Sequence, residues 1–142
     1  MKMLVPVDGS QASLRAVEFA IHLCTSLPVS SIVLVNIQNT MTIGVADAGI
    51  LSPLEMDSAE ELRYATELLK EPLRSCKEAG VNTSTRAATG PIADTIVRIA
   101  REEHADHIVM GTRGLGALRG MLLGSISTQV LQLADMPLTL IK

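Results

Sequence analysis

Apolar and polar positions follow two rhythms that alternate along the chain. Short, nearly continuous apolar runs fall at Met3 to Val7, Ser31 to Ile37, Ile108 to Met110 and Leu138 to Ile141. Runs of this kind suit strands covered on both faces, as in a parallel sheet. Helical spacing fills the intervals between them. Leu14, Val17, Ile21 and Cys24 share one helical face, with Ala20, Leu23 and Leu27 alongside. Ser10 is placed to cap this helix, and Pro28 lies just past its end. A second helix carries Leu62, Ala65, Leu69, Leu73 and Cys76 and stops near Gly80. Pro72 lies inside it and predicts a kink or an early break, because its ring opposes the carbonyl of Leu68.

Val81, Thr83, Thr85 and Ala87 alternate with polar residues, a pattern suited to an edge strand. Gly90-Pro91 opens a third helix, with Pro91 at its first position, followed by Ile92, Ile96, Ile99 and Glu103. The last helix begins near Ser125, carries Ile126, Val130, Leu133 and Ala134, and ends at Pro137. The predicted order is βαβαβαβαβ. This is a three-layer, open, parallel five-stranded α/β sheet of the flavodoxin/Rossmann-like kind, in a single domain spanning 1-142. The connection from Gln38 to Pro53 is the segment expected to be most mobile.

Composition narrows the class. The chain has 142 residues, 47% hydrophobic and 19% charged, enough to bury a core and too apolar for a disordered tail. Twelve basic and fifteen acidic residues leave a net charge of −3, mixed along the chain. That balance points to neither nucleic acid nor an anionic membrane as partner. No apolar run reaches the roughly 18 residues of a membrane span, and the start of the chain reads as a strand rather than a signal peptide. Cys24 and Cys76 fall on apolar helical faces and read as buried, reduced thiols. The expected location is cytoplasmic. His22, His104 and His107 show no ligand spacing, so no metal site is expected.

In open parallel sheets, ligands bind at the carboxyl ends of strands where the strand order reverses. That rule selects Val7-Asp8-Gly9-Ser10 after the first strand and Gly111 to Ser127 after the fourth. In the second turn, glycines let the backbone approach a ligand, and the helix start at Ser125 offers N–H groups, a positive dipole end and a hydroxyl. Ser127 and Thr128 add hydroxyls. The competing reading is a structural loop with glycine turns and a serine cap. A Walker loop is excluded because no Lys sits beside Ser125, and a dinucleotide fingerprint from Gly114 fails at Arg119.

The pattern that does fit is Gly-x2-Gly-x9-Gly-Ser, at Gly111, Gly114, Gly124 and Ser125. With the first turn Val5 to Ser10, the Gly90-Pro91 turn and the stretch Ala134 to Leu138, it resembles the ATP-binding members of the universal stress protein A family. The resemblance runs the length of the chain and implies an adenine-nucleotide α-hydrolase-like fold. It implies that Pro6, Val7 and Asp8 line an adenosine pocket, with Asp8 near the ribose or adenine. Ile37 would pack on or bond the adenine. Met110, Gly111, Arg113, Gly114, Gly124, Ser125, Ile126 and Ser127 would hold ribose and phosphates, mostly through main-chain N–H groups. Asp8 also reads as a cap of its own turn, Ile37 as core, and Arg113 and Arg119 as solvated surface.

The implied ligand is ATP or another adenine nucleotide, with Mg²⁺ or Mn²⁺ on the phosphates where ATP is bound. No nucleophile–base pair is visible and no Lys faces the phosphates, so the expected role is a stress-response regulator or sensor, hydrolysing ATP slowly at most. The last strand, apolar on both faces, is expected to pair with its own copy in a homodimer. The alternatives are a dimeric interaction module independent of nucleotide, and a small-molecule enzyme on a flavodoxin-like scaffold.

Overall fold

The computed structural model describes residues 1–27, 30–39, 58–115 and 123–142. Pro28, most of the Gln38 to Pro53 connection, and residues 116–122 of the fourth turn, Arg119 among them, lie outside the described residues.

Among the described residues, five parallel strands and four helices alternate: β1 (Lys2–Pro6), α1 (Gln11–Ser26), β2 (Ser31–Gln38), α2 (Ser58–Glu78), β3 (Asn82–Thr89), α3 (Ile92–Glu102), β4 (His107–Gly111), α4 (Ser125–Leu133) and β5 (Leu138–Ile141). The sheet order is β3-β2-β1-β4-β5, which puts the reversal of strand order between β1 and β4. The βαβαβαβαβ order and the open parallel α/β sheet predicted from the sequence are both present. Strand β3 lies at one edge, where its polar alternation is tolerated, and β5 at the other.

Alternation along the strands divides the core in two. Met3, Val5, Ile32, Leu34 and Val109 pack with Ala16, Val17, Ala20 and Cys24 of α1 and Leu69 and Cys76 of α2. Leu4, Val33, Val35, Ile37, Ile108 and Met110 pack on the other face with Ile96, Ile99 and Ala100 of α3 and Val130 of α4. Helices on both faces explain why the strands read as continuous apolar runs.

Several helical expectations need correction. The residues α1 buries are Ala12, Ser13, Ala16, Val17, Ala20 and Cys24. Leu14, Ile21 and Leu23 are only half-buried, and Leu27 lies beyond the helix and is exposed. The face is built from small residues because α1 presses close on the sheet. A Cβ at Gly111 would stand only 2.8 Å from the backbone of Ala12.

Helix α2 runs unbroken through Pro72. Pro72 removes one internal bond, but its ring is buried, and Ala65, Leu69 and Cys76 continue the buried stripe on both sides. Leu62 lies off that stripe and is exposed. Pro91 is the N-cap of α3 rather than its first residue. Helix α4 stops at Leu133, which is exposed, so Pro137 leads into β5 without being the breaker.

Cys24 and Cys76 are free thiols buried in one cluster. Burial pushes both above their ordinary value of 9.0. A raised folded-state value means that stability is fully present below the unfolded value and declines as alkaline solution ionises the unfolded chain first. Both thiols are expected to ignore a disulfide reagent at pH 8 in the folded protein and to react in urea. Fast reaction of either without denaturant would contradict the packing.

Candidate functional site

Strand β1 carries a proline at its carboxyl end, and that residue shapes the site. Val7 N–H donates to Val35 O at 2.8 Å, so the odd-numbered N–H groups of β1 point at β2. Those of even-numbered residues point at β4, and at Pro6 that donor does not exist. The β1·β4 ladder pairs Met3 with His107 and Leu4 with Ile108 and goes no further. On the other side, β1·β2 pairing continues to Pro6↔Val35. The sheet therefore opens between β1 and β4 at the topological switch point.

Two turns leave the sheet at this opening, and side chains tie them together. Asp8 Oδ1 accepts from Ser10 N–H at 2.9 Å, closing its own turn. Its other oxygen, Oδ2, accepts from Leu115 N–H at 3.2 Å across the opening. A Cβ at Gly114 would lie 2.5 Å from that oxygen, so the close approach needs glycine there. Ser10 caps α1 by accepting from Ser13 N–H at 3.2 Å, and its hydroxyl reaches Arg113 O at 3.5 Å.

The start of α4 is held from beneath. Thr112, itself buried, donates its N–H to Ile141 O at 2.7 Å, and its carbonyl accepts from Gly124 N–H at 2.7 Å. Ser127 is buried, and its hydroxyl lies 2.9 Å from both the Thr112 and Gly124 carbonyls. Thr128 Oγ1 likewise donates to Gly124 O at 2.9 Å. These hydroxyls therefore give their protons to the backbone. The N-cap is Gly124, with Ser125 the first helical residue, exposed. A serine cap of α4 is thus excluded.

What remains at α4 is a set of donors with no acceptor among the described residues. The N–H groups of Ser125, Ile126 and Ser127 precede the first helical bond, which Thr128 N–H makes to Gly124 O at 3.0 Å. Gly124 supplies no side-chain acceptor, and the first turn contains no acidic residue. By contrast, α1 is capped by Ser10, while α2 and α3 carry Glu60, Glu61 and Asp94 in their first turns. Gly124 also differs from its neighbouring glycines. Among the described residues, a Cβ there would meet nothing nearer than 3.5 Å, and its φ of −75° is open to any residue. Gly111 and Gly114 are explained by packing inside the chain; Gly124 is not.

The predicted site residues gather around this opening. Ile37 and Met110 are buried in the cluster on the α3/α4 face, against which Ile126 packs. Pro6, half-buried, faces the same way by strand alternation. Val7 is buried on the α1 face, Gly111 ends β4 paired with Ile141, and Arg113 is exposed. Pro6, Ile37, Met110 and Ile126 thus form an apolar floor beside the bare helix start. A cavity of about 430 Å³ opens on the α1 side of the same turns, lined by Ser10, Gln11, Ala12, Arg15, Thr112, Arg113, Gly114 and Lys142.

Three features were missed from the sequence: Asn36, the bond from Asp8 to Leu115, and the clamp at Thr112. Only Asn36 left a signal, as a polar residue inside the second apolar run. Among the described residues, no three His, Cys, Asp or Glu side chains converge as a metal site. No described helix is long and apolar enough to cross a membrane.

An open parallel sheet, split at its switch point beside the start of α4, defines a domain of the Rossmann-like class. The family model for the universal stress protein family matches residues 1–142, and the chain belongs to that family. Universal stress protein YxiE of Bacillus subtilis is 30% identical over 99% of this chain and 98% of its own length. Solved structures sharing the fold include a universal stress protein in complex with cAMP, with a TM-score of 0.72 and 23% identity over 100% of this chain and 97% of that one. Another is the Archaeoglobus fulgidus universal stress protein in complex with dAMP, with a TM-score of 0.71 and 22% identity over 100% of this chain and 98% of that one.

Proposed function

We propose that this chain binds an adenine nucleotide as a regulatory ligand. Phosphate sits on the N–H groups of Ser125, Ile126 and Ser127, and the nucleoside lies over Pro6, Ile37 and Met110 beside Val7 and Asp8. The observation that carries the reading is the unexplained glycine at Gly124, N-cap of a helix whose first three N–H groups have no acceptor among the described residues. Such a helix start favours phosphate through oriented donors and a positive dipole end. Arg113 adds a cation at the rim. The cAMP and dAMP complexes of the structural neighbours support the same ligand class.

Turnover is not part of the proposal. Asp8 is engaged by Ser10 and Leu115, and among the described residues no positioned base accompanies it. A divalent ion would arrive with the phosphates of ATP, since the described side chains offer no ligand cluster of their own. The role is that of a stress-response regulator in the cytoplasm, which the free buried thiols of Cys24 and Cys76 support. The test is to denature freshly purified protein, identify any released nucleotide, and titrate AMP, ADP and ATP by calorimetry. Absence of both bound nucleotide and binding heat would end the reading.

A second reading concerns assembly. Strand β5 forms the sheet edge, and all four of its residues are only half-buried. An apolar edge of this kind pairs readily with a second copy. Light scattering at micromolar concentration is expected to give twice the chain mass; a monomer there would remove the homodimer.

A further inference from the structure

Asn36 lies in the middle of a buried parallel strand, 3% exposed, where an unbonded amide would be costly. Its neighbours Ile32 and Leu34 place the even-numbered residues of β2 on the α1/α2 face, opposite the apolar floor of the candidate site. From there, Asn36 Nδ2 donates to Val7 O at 2.6 Å. Gln38 Nε2 donates to Asn36 Oδ1 at 2.6 Å, which fixes the amide so that its nitrogen faces the carbonyl. The bond falls where regular pairing stops. The last β1·β2 pair is Pro6↔Val35, and Val7 is the first residue beyond it.

We infer that Asn36 is a positioning residue for the nucleoside half of the ligand: by holding the Val7 carbonyl, it aims the Val7-Asp8 turn at the opening between β1 and β4. The inference rests on the nucleotide reading above. Val7 N–H is held by Val35 O at 2.8 Å and Asp8 N–H by Ser13 Oγ at 3.4 Å, so Asn36 supplies the bond to the carbonyl of this peptide, and Asp8 in turn reaches Leu115 across the opening. Asn36 touches no part of the α4 start, so its effect belongs to the nucleoside and not to the phosphates.

The test compares adenosine, AMP and ATP by calorimetry on wild type, Asn36→Leu and Asn36→Asp. Asn36→Leu is expected to weaken all three ligands by the same factor, about tenfold, the equivalent of one well-aligned hydrogen bond. Asn36→Asp keeps the shape but sets a carboxylate against the Val7 carbonyl, so at pH 8 it is expected to bind more weakly still. A role in packing alone would leave the isosteric Asp variant near wild type. Lowering the pH restores a proton that can be donated, and affinity relative to wild type at each pH should recover.

Folded variants that bind within twofold of wild type would overturn the inference, as would a loss confined to the phosphate-bearing ligands. Should neither variant fold, Gln38→Leu frees the Asn36 amide from the half-buried side, with a loss of about threefold expected and unchanged binding fatal. If wild type binds none of the three ligands, the nucleotide reading falls and this inference with it. Binding by wild type together with unaffected variants removes only the role of Asn36.

Discussion

Gly124→Val is expected to leave the protein folded while lowering its affinity for AMP or ATP by about 100-fold or more. The space around Gly124 is the reason for both halves. A Cβ there would meet Arg113 Cα and Thr112 O at 3.5 Å, ordinary contact distances, and the backbone is extended at φ −75° and ψ 162°. Valine is a poorer helix N-cap than glycine, so a cost of roughly 0.5–1 kcal/mol is anticipated, a few degrees of melting temperature at this chain length. The added methyl groups stand in front of the Ser125, Ile126 and Ser127 amides. Losing even two hydrogen bonds to a charged phosphate corresponds to about 100-fold. Thermal melting and calorimetry on the same samples check the two halves together. A variant that melts like wild type and still binds would remove phosphate from the α4 start.

Gly111→Ala is expected to behave in the opposite way, with a large loss of stability. Its Cβ would stand 2.8 Å from both the carbonyl carbon and the Cβ of Ala12, and 3.0 Å from Ser13 N. Those atoms belong to the first turn of α1, which cannot swing aside as a side-chain tip can. Overpacking against backbone costs about 1–3 kcal/mol, or roughly 3–10 °C in melting temperature for a domain of this size. Because α1 would have to retreat, the Asp8 to Ser10 turn would move with it, and nucleotide affinity should fall alongside stability. Unchanged melting would show that the α1–β4 approach is looser than described. The two glycines belong to one sequence pattern, yet one is explained by internal packing and the other by open space.

The sheet and its order of elements were readable because burial on both faces leaves an unmistakable mark. Met3 to Val7 and Ser31 to Ile37 are almost wholly apolar, and strand continuity needs nothing further. The place of the candidate site follows for a related reason: once the sheet is parallel, its switch point picks out the turns at Asp8 and Gly111. Spacing could not reveal how tightly α1 approaches the sheet. Tight approach favours Ala12, Ala16 and Ala20 over the larger Leu14 and Ile21, which the periodicity had favoured. The early break that Pro72 allows does not occur, because tertiary burial on both sides holds the helix together. The competing reading of a serine cap at α4 falls only to the structure, where Gly124 is the N-cap and Ser127 turns inward to Thr112. Asn36 was hidden by its surroundings, since one polar letter in an apolar run does not say which carbonyl it serves.

The proline that ends β1 has a consequence for how this domain can diverge. Any other residue at Pro6 would bring back a donor aimed at the neighbouring strand, and the seam between the two halves of the sheet could then zip shut. A more stable sheet is thus one substitution away, and reaching it would narrow the mouth of the crevice. Among chains built on this plan, a residue other than proline here would mark a shallower groove, and the depth of that groove becomes a trait set at one position of the first strand.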